Sequence, residues 1–206
     1  MNDIQLIKKL RGFDKPYFTV ADLENILDMK RDSLYVKLNK MVKRDALIRL
    51  KRDIYCPPFE IIKFGRIANE LYYPSYLSFE TVLSRCGIIS QIPYTITFAT
   101  TRRTKTLILR KTEITYSHLK KEYFFGYTLK SGVYEADPEK AVLDQLYLAS
   151  IGKRWIDTSE WSMVGMEKKK FIKYSKVFPK KVQGMAKDLL PRFGKTVVTL
   201  EDKVLL

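Results

Sequence analysis

The residues whose types and spacing suit a chemical task are mostly cations. Between 31 and 44, Leu34, Leu38, Met41 and Val42 recur at i, i+4, i+7 and i+8, one buried stripe of a helix. The opposite side then carries Arg31, Ser33, Tyr35, Lys37, Asn39 and Lys40. These side chains reach base edges or phosphate oxygens. Arg31, Asp32 and Ser33, at the start of the helix, are candidates for base readout or positioning. Lys37, Lys40, Lys43 and Arg44 are candidates for phosphate contact. Lys51 and Arg52 place two further cations at a short polar turn, suited to minor-groove entry or backbone clamping.

Such a set works only if other elements hold it. Ile4, Ile7 and Leu10 predict a short helix over 1–12, with Gly12 able to end it. Thr19 is a good N-cap for a second helix, Val20 to Leu27, with Asp22 near its N-terminal dipole. The cation-bearing helix runs from about Asp32 to Lys43. Leu47–Leu50 and Ile54-Tyr55 flank Lys51-Arg52-Asp53 as a hairpin, and Pro57-Pro58 marks a boundary. Three helices followed by a hairpin is the order of a winged helix-turn-helix, predicted over 1–58. The competing reading is a winged domain used for protein contact, its basic face merely solvated.

The chain of 206 residues carries 38 Lys and Arg against 23 Asp and Glu, a net charge of +15. A field of that sign attracts nucleic acid first and an anionic membrane surface second. With 46% hydrophobic residues the chain is too apolar for general disorder. No run of about 18 apolar residues and no signal-peptide core occurs, so no membrane span and a cytoplasmic location are expected. Cys56 and Cys86 form no metal spacing and fit a reducing compartment. With His118 the sole histidine, no metal site is expected. No Walker loop, nucleophile elbow or Rossmann glycine pattern occurs, so neither a catalytic site nor a cofactor is expected.

Residues 59–206 read as a mixed α+β domain, giving an α+β chain overall. Helices are predicted from Phe59 (burying Phe64, Ile67, Ala68 and Leu71) and after a Ser78 cap (burying Phe79, Val82, Leu83 and Cys86). Tyr94, Ile96 and Phe98 alternate with polar or small residues as a half-buried strand. Further strands are expected around 107–109, 114–116, 124–129 and 133–135. Asp137-Pro138 opens a helix burying Val142, Leu143, Leu146 and Tyr147. Helices near 167–178 and 180–190 and a strand near 196–200 complete the pattern.

Other residues stay open between two readings. Arg102, Arg103 and Lys105 lie in a cationic hairpin turn that touches nucleic acid or a partner, or is simply solvated. Lys168, Lys169 and Lys170, with Lys173, Lys176, Lys180 and Lys181, are an electrostatic footprint or a solvated helix face. Asp137, Glu139 and Asp144 form a nuclease-like carboxylate set or, better, helix capping with an exposed face. His118 reads as a surface or hydrogen-bonded histidine, and Trp155 and Trp161 as packing or partner contacts.

Four stretches carry a family resemblance. Residues 74–106, from Pro74-Ser75-Tyr76-Leu77-Ser78-Phe79 to Thr101-Arg102-Arg103-Thr104-Lys105, resemble the central segment of AbiEi-type antitoxins. So do Tyr123-Phe124-Phe125-Gly126-Tyr127 and Ala136-Asp137-Pro138-Glu139-Lys140-Ala141-Val142-Leu143-Asp144. Arg52-Asp53-Ile54-Tyr55 is similar to that family's Arg-Gly-hydrophobic-Tyr, departing at Asp53, where glycine is usual. The resemblance covers about 15–150.

The resemblance implies an antitoxin and autorepressor of an abortive-infection operon. Its N-terminal domain would bind an inverted-repeat operator in double-stranded DNA, as a monomer in solution with two protomers cooperating on DNA. Its second domain would counteract a nucleotidyltransferase-like toxin without forming a stable complex. The rivals are a stand-alone winged-helix regulator with a ligand- or protein-sensing second domain, a nucleic-acid-processing enzyme, and an antitoxin acting by direct protein contact.

Overall fold

The structure, a computed structural model, describes residues 2–194, apart from the side chains of residues 62 and 63. The strand expected near 196–200 lies outside the described residues. The chain is a mixed α+β protein with two sheets.

The first third folds as α1 (Asp3–Arg11), β1 (Phe18–Thr19), α2 (Val20–Leu27), α3 (Arg31–Lys43), β2 (Ile48–Lys51) and β3 (Ile54–Cys56). Both early helices begin on capping boxes. Asn2 and Gln5 bond reciprocally across the first turn of α1, and Thr19 and Asp22 do so at α2. Lys15 also donates to Asp22 at 2.7 Å. Burial alone would raise the Asp22 carboxyl, but these bonds from Lys15 and Thr19 hold it below its ordinary range. Leu6, Leu10, Leu23, Leu34, Leu38 and Met41 close a first core between the three helices. The sequence pattern did not reveal β1, which adds to β3 to make a three-stranded sheet in the order β1-β3-β2.

The hairpin serves two cores. Tyr55 faces the helices and is buried among them. Leu50 and Cys56 are buried in the second, larger core, with Ile48 and Ile54 packed beside them. That division follows from the period-2 alternation of a strand, one set of residues per face. Burial pushes the Cys56 thiol up to about 12.

The rest begins with a 3-10 turn (Pro58–Lys63), so the helix expected from Phe59 starts later, as α4 (Phe64–Leu71). Then come β4 (Ser75–Leu77), α5 (Phe79–Arg85), β5 (Ile96–Thr100), β6 (Lys105–Leu109), β7 (Thr112–His118), β8 (Tyr127–Lys130), β9 (Val133–Ala136), α6 (Pro138–Ser150), α7 (Lys168–Ser175) and α8 (Lys180–Leu189). The six strands form one mixed sheet in the order β6-β7-β5-β4-β9-β8. Helix α6 packs against α5, α7 and α8, so every residue from Glu139 to Leu148 is buried.

Four expectations are corrected here. Cys86 is exposed, at the C-cap of α5, which ends at Arg85. Tyr94 precedes β5 and is fully exposed. Strand β5 lies between β4 and β7, so Thr97, Phe98 and Ala99 are buried in succession and the half-buried alternation fails. Residues 100–105 are not a hairpin turn: β7 sits between β5 and β6, and the segment crosses over it. No described helix is long and apolar enough to cross a membrane.

Candidate nucleic-acid interface

Helix α3 presents its cations as its buried stripe requires. With Leu34, Leu38 and Met41 inward, Arg31, Ser33, Asn39, Lys40, Lys43 and Arg44 are exposed, while Tyr35 and Lys37 are half-buried on the flank. Lys30 occupies the N-cap with no side-chain cap bond, so the first amides of α3 are left for solvent or a ligand. Arg31 lies 3.4 Å from Glu24 and Arg44 3.7 Å from Asp3, loose surface pairs that a polyanion can displace.

The turn of the hairpin is fixed by the residue where glycine was expected. Asp53 adopts a left-handed φ of +61°, the conformation that favours glycine and that Asp tolerates. Its Oδ1 accepts a 2.8 Å hydrogen bond from the Tyr35 hydroxyl, which raises the phenol above its ordinary value. Tyr35 is therefore tied to the turn, which fixes the tip relative to α3. Arg52 projects from that tip with its side chain 90% exposed, and Lys51 is half-buried beside it.

A further pair of cations was not anticipated. The β6–β7 turn brings Arg110 and Lys111, both exposed, beside the hairpin, where the Arg110 N–H donates to the Leu50 carbonyl at 2.9 Å. A polar pair between two predicted strands signals a turn, but nothing in the pattern says that this turn abuts residue 50.

No protein-family model matches the chain, and no curated protein matches it.

The other cationic candidates are differently placed. Arg102 stacks 4.3 Å over the Tyr72 ring and donates to the Tyr73 carbonyl, and His118 Nδ1 lies 2.9 Å from the Arg102 carbonyl oxygen. Lys105 also lies over Tyr72, whereas Arg103 contributes its carbonyl to the Tyr72 hydroxyl. Lys168 and Lys169 are exposed on α7, but Lys170 turns inward to Asp137 at 3.0 Å and Glu139 at 3.7 Å.

The acidic candidates require a correction. The exposed face expected for Glu139 and Asp144 does not exist, because α6 is enclosed on all sides. Nor do Ser78 and Asp137 cap their helices by side chain. Asp144 accepts from Lys140, from Tyr76 at 2.9 Å and from Ser78 at 2.8 Å, all buried. Lys140 also lies over the rings of Tyr76, Phe125 and Phe178. Burial lowers the Lys140 ammonium and raises the Asp144 carboxyl, each pulled back by its partner. Gly126 lets the 123–127 segment approach: a β-carbon there would meet Lys140 at 3.1 Å, at a left-handed φ of +68°. Asp137 instead accepts from the Tyr174 hydroxyl at 3.0 Å.

Proposed function

We propose that the first third of the chain is a winged helix-turn-helix that binds double-stranded DNA. In this reading α3 enters the major groove, the β2–β3 hairpin is the wing, and Arg31 and Ser33 read or position while Lys37, Lys40, Lys43 and Arg44 hold phosphate. Lys51 and Arg52 extend the footprint, with Arg110 and Lys111 beside them. The observation that carries it is the α3 face itself: Arg31, Ser33, Asn39, Lys40, Lys43 and Arg44 exposed opposite buried Leu34, Leu38 and Met41, with a wing tip locked to that helix through Tyr35 and Asp53.

The cellular role that best fits is that of an AbiEi-like antitoxin and autorepressor, acting on an inverted repeat near its own gene and against a nucleotidyltransferase-like toxin. Its support is that three of the four resembling stretches meet at one buried cluster, through Tyr76, Phe125 with Gly126, and Lys140 with Asp144. The residues of those three stretches thus share one buried assembly. The test is an electrophoretic shift on DNA upstream of the gene, at two salt concentrations, against scrambled competitor. Specific, salt-weakened binding is expected; equal binding to the competitor overturns the operator reading.

A further inference from the structure

A cleft of about 430 Å³ opens on the second unit, away from the residues of the α3 face. Trp155 and Trp161, the chain's two tryptophans, line it with Leu83 and Ile89. Trp161 is buried, but Trp155 is 87% exposed among the described residues. The 88–94 loop that supplies one wall continues into Ile92 and Tyr94, which are 84% and 101% exposed. Large aromatic and aliphatic side chains bared around a concavity mark a protein-docking site, because such residues dominate interface energetics.

The walls are held in place before anything binds. Ser162 N–H donates to the Ile88 carbonyl at 2.9 Å, tying the two loops together. Arg192 donates to the carbonyls of Thr158 and Ser159, and Arg154 pairs with Glu80 of the lining. An interface formed on such a site loses less entropy on ordering.

Charge decides the occupant. The chain as a whole carries +15, yet among the described residues the lining holds no lysine or arginine, and with Glu80 already paired to Arg154 it is Asp157 and Glu160 that leave the cleft negative. The Ser159 backbone amide donates to Asp157 at 2.8 Å and holds its carboxyl low. An exposed indole beside carboxylates attracts a flat cation, through its ring face and through paired N–H bonds to oxygen.

We propose that this cleft docks an arginine side chain presented by a protein partner, with Trp155 against the guanidinium and Asp157 and Glu160 accepting from it. The proposal is independent of DNA binding, since no residue of the α3 face takes part.

Both tryptophans line the site, so their indole N–H resonances report on it. The full chain, labelled with ¹⁵N, is titrated with the peptide Ac-Gly-Arg-Gly-NH₂ and with its citrulline analogue, which keeps the shape and loses the charge. Saturable shifts of the indole N–H resonances are expected, at least tenfold weaker for citrulline. The Asp157→Asn/Glu160→Gln double variant is expected to lose the arginine preference while melting like the parent, and Trp155→Ala to weaken binding with Trp161 still reporting. Equal response to the two peptides, or preference surviving the double variant, overturns the proposal. Tighter binding of a leucine peptide makes the cleft an apolar groove and also overturns it, as do shifts produced only by duplex DNA.

Discussion

Helices α3 and α6 are both 13 residues long and both carry lysine and aspartate, yet they place them in opposite worlds. Helix α3 has neighbours on one side, so Lys40, Lys43 and Asp32 are exposed. Helix α6 has neighbours all round, so Lys140 and Asp144 are shut in together with no exposure at all. In the first setting a charge is available to a partner. In the second it must be neutralised by its own chain, and its value lies in holding three distant segments in register. Residue type alone does not say which setting applies.

The sharpest way to break this contrast is to orphan one buried charge. Lys140→Met leaves Asp144 facing Tyr76 and Ser78 without its cation, and a loss of roughly 3–5 kcal/mol is expected in urea unfolding. Adding Asp144→Leu to that variant should recover part of the loss. A single-variant cost within experimental error would mean that water reaches the pair. On α3 the expectation reverses. Arg31→Ala or Lys40→Ala should leave the melting temperature within a degree or two but weaken operator DNA about 5- to 150-fold, as loss of about 1–3 kcal/mol implies. Unchanged affinity at moderate salt moves the reading surface off this helix.

A smaller effect separates capping from charge. Thr19→Ala should cost about 1 kcal/mol. Asp22 is depressed in the folded state, so its contribution is full above the ordinary carboxylate range. It is lost as pH falls through the depressed value. The gap between parent and variant should therefore narrow below about pH 4, and a constant gap down to pH 2 would mean that Asp22 is not linked to the cap. The smallest perturbation is chemical. At pH 8 a maleimide should label Cys86 and spare Cys56, whose buried thiol is pushed up to about 12. Two labels per folded chain would show that the hairpin separates from the second core.

The same contrast explains what the sequence could reveal. Where a helix or strand has one wet face, periodicity names its residues, and α2, α3 and the hairpin fall where the pattern puts them. Thr19 is readable as a cap because capping is local. Glu139, Lys140 and Asp144 misled because enclosure by α5, α7 and α8 is a tertiary fact that leaves no period. The crossing of β5 to β6 over β7 is likewise invisible, since strand order depends on pairing partners far away in sequence. In the interface, the α3 cations were legible, whereas Arg110 and Lys111 became neighbours of the hairpin only through folding. The cleft was half legible: Trp155 and Trp161 stood out, but the carboxylates beside them did not.

The two-faced hairpin bears on inheritance as well as on stability. A segment whose strands seal two cores cannot be moved between proteins as an independent cassette. Cut after Pro58, it would bare Leu50 and Cys56, and the recipient would have to supply a matching wall. A graft of the first third onto a foreign partner should therefore fold only where the recipient offers that wall.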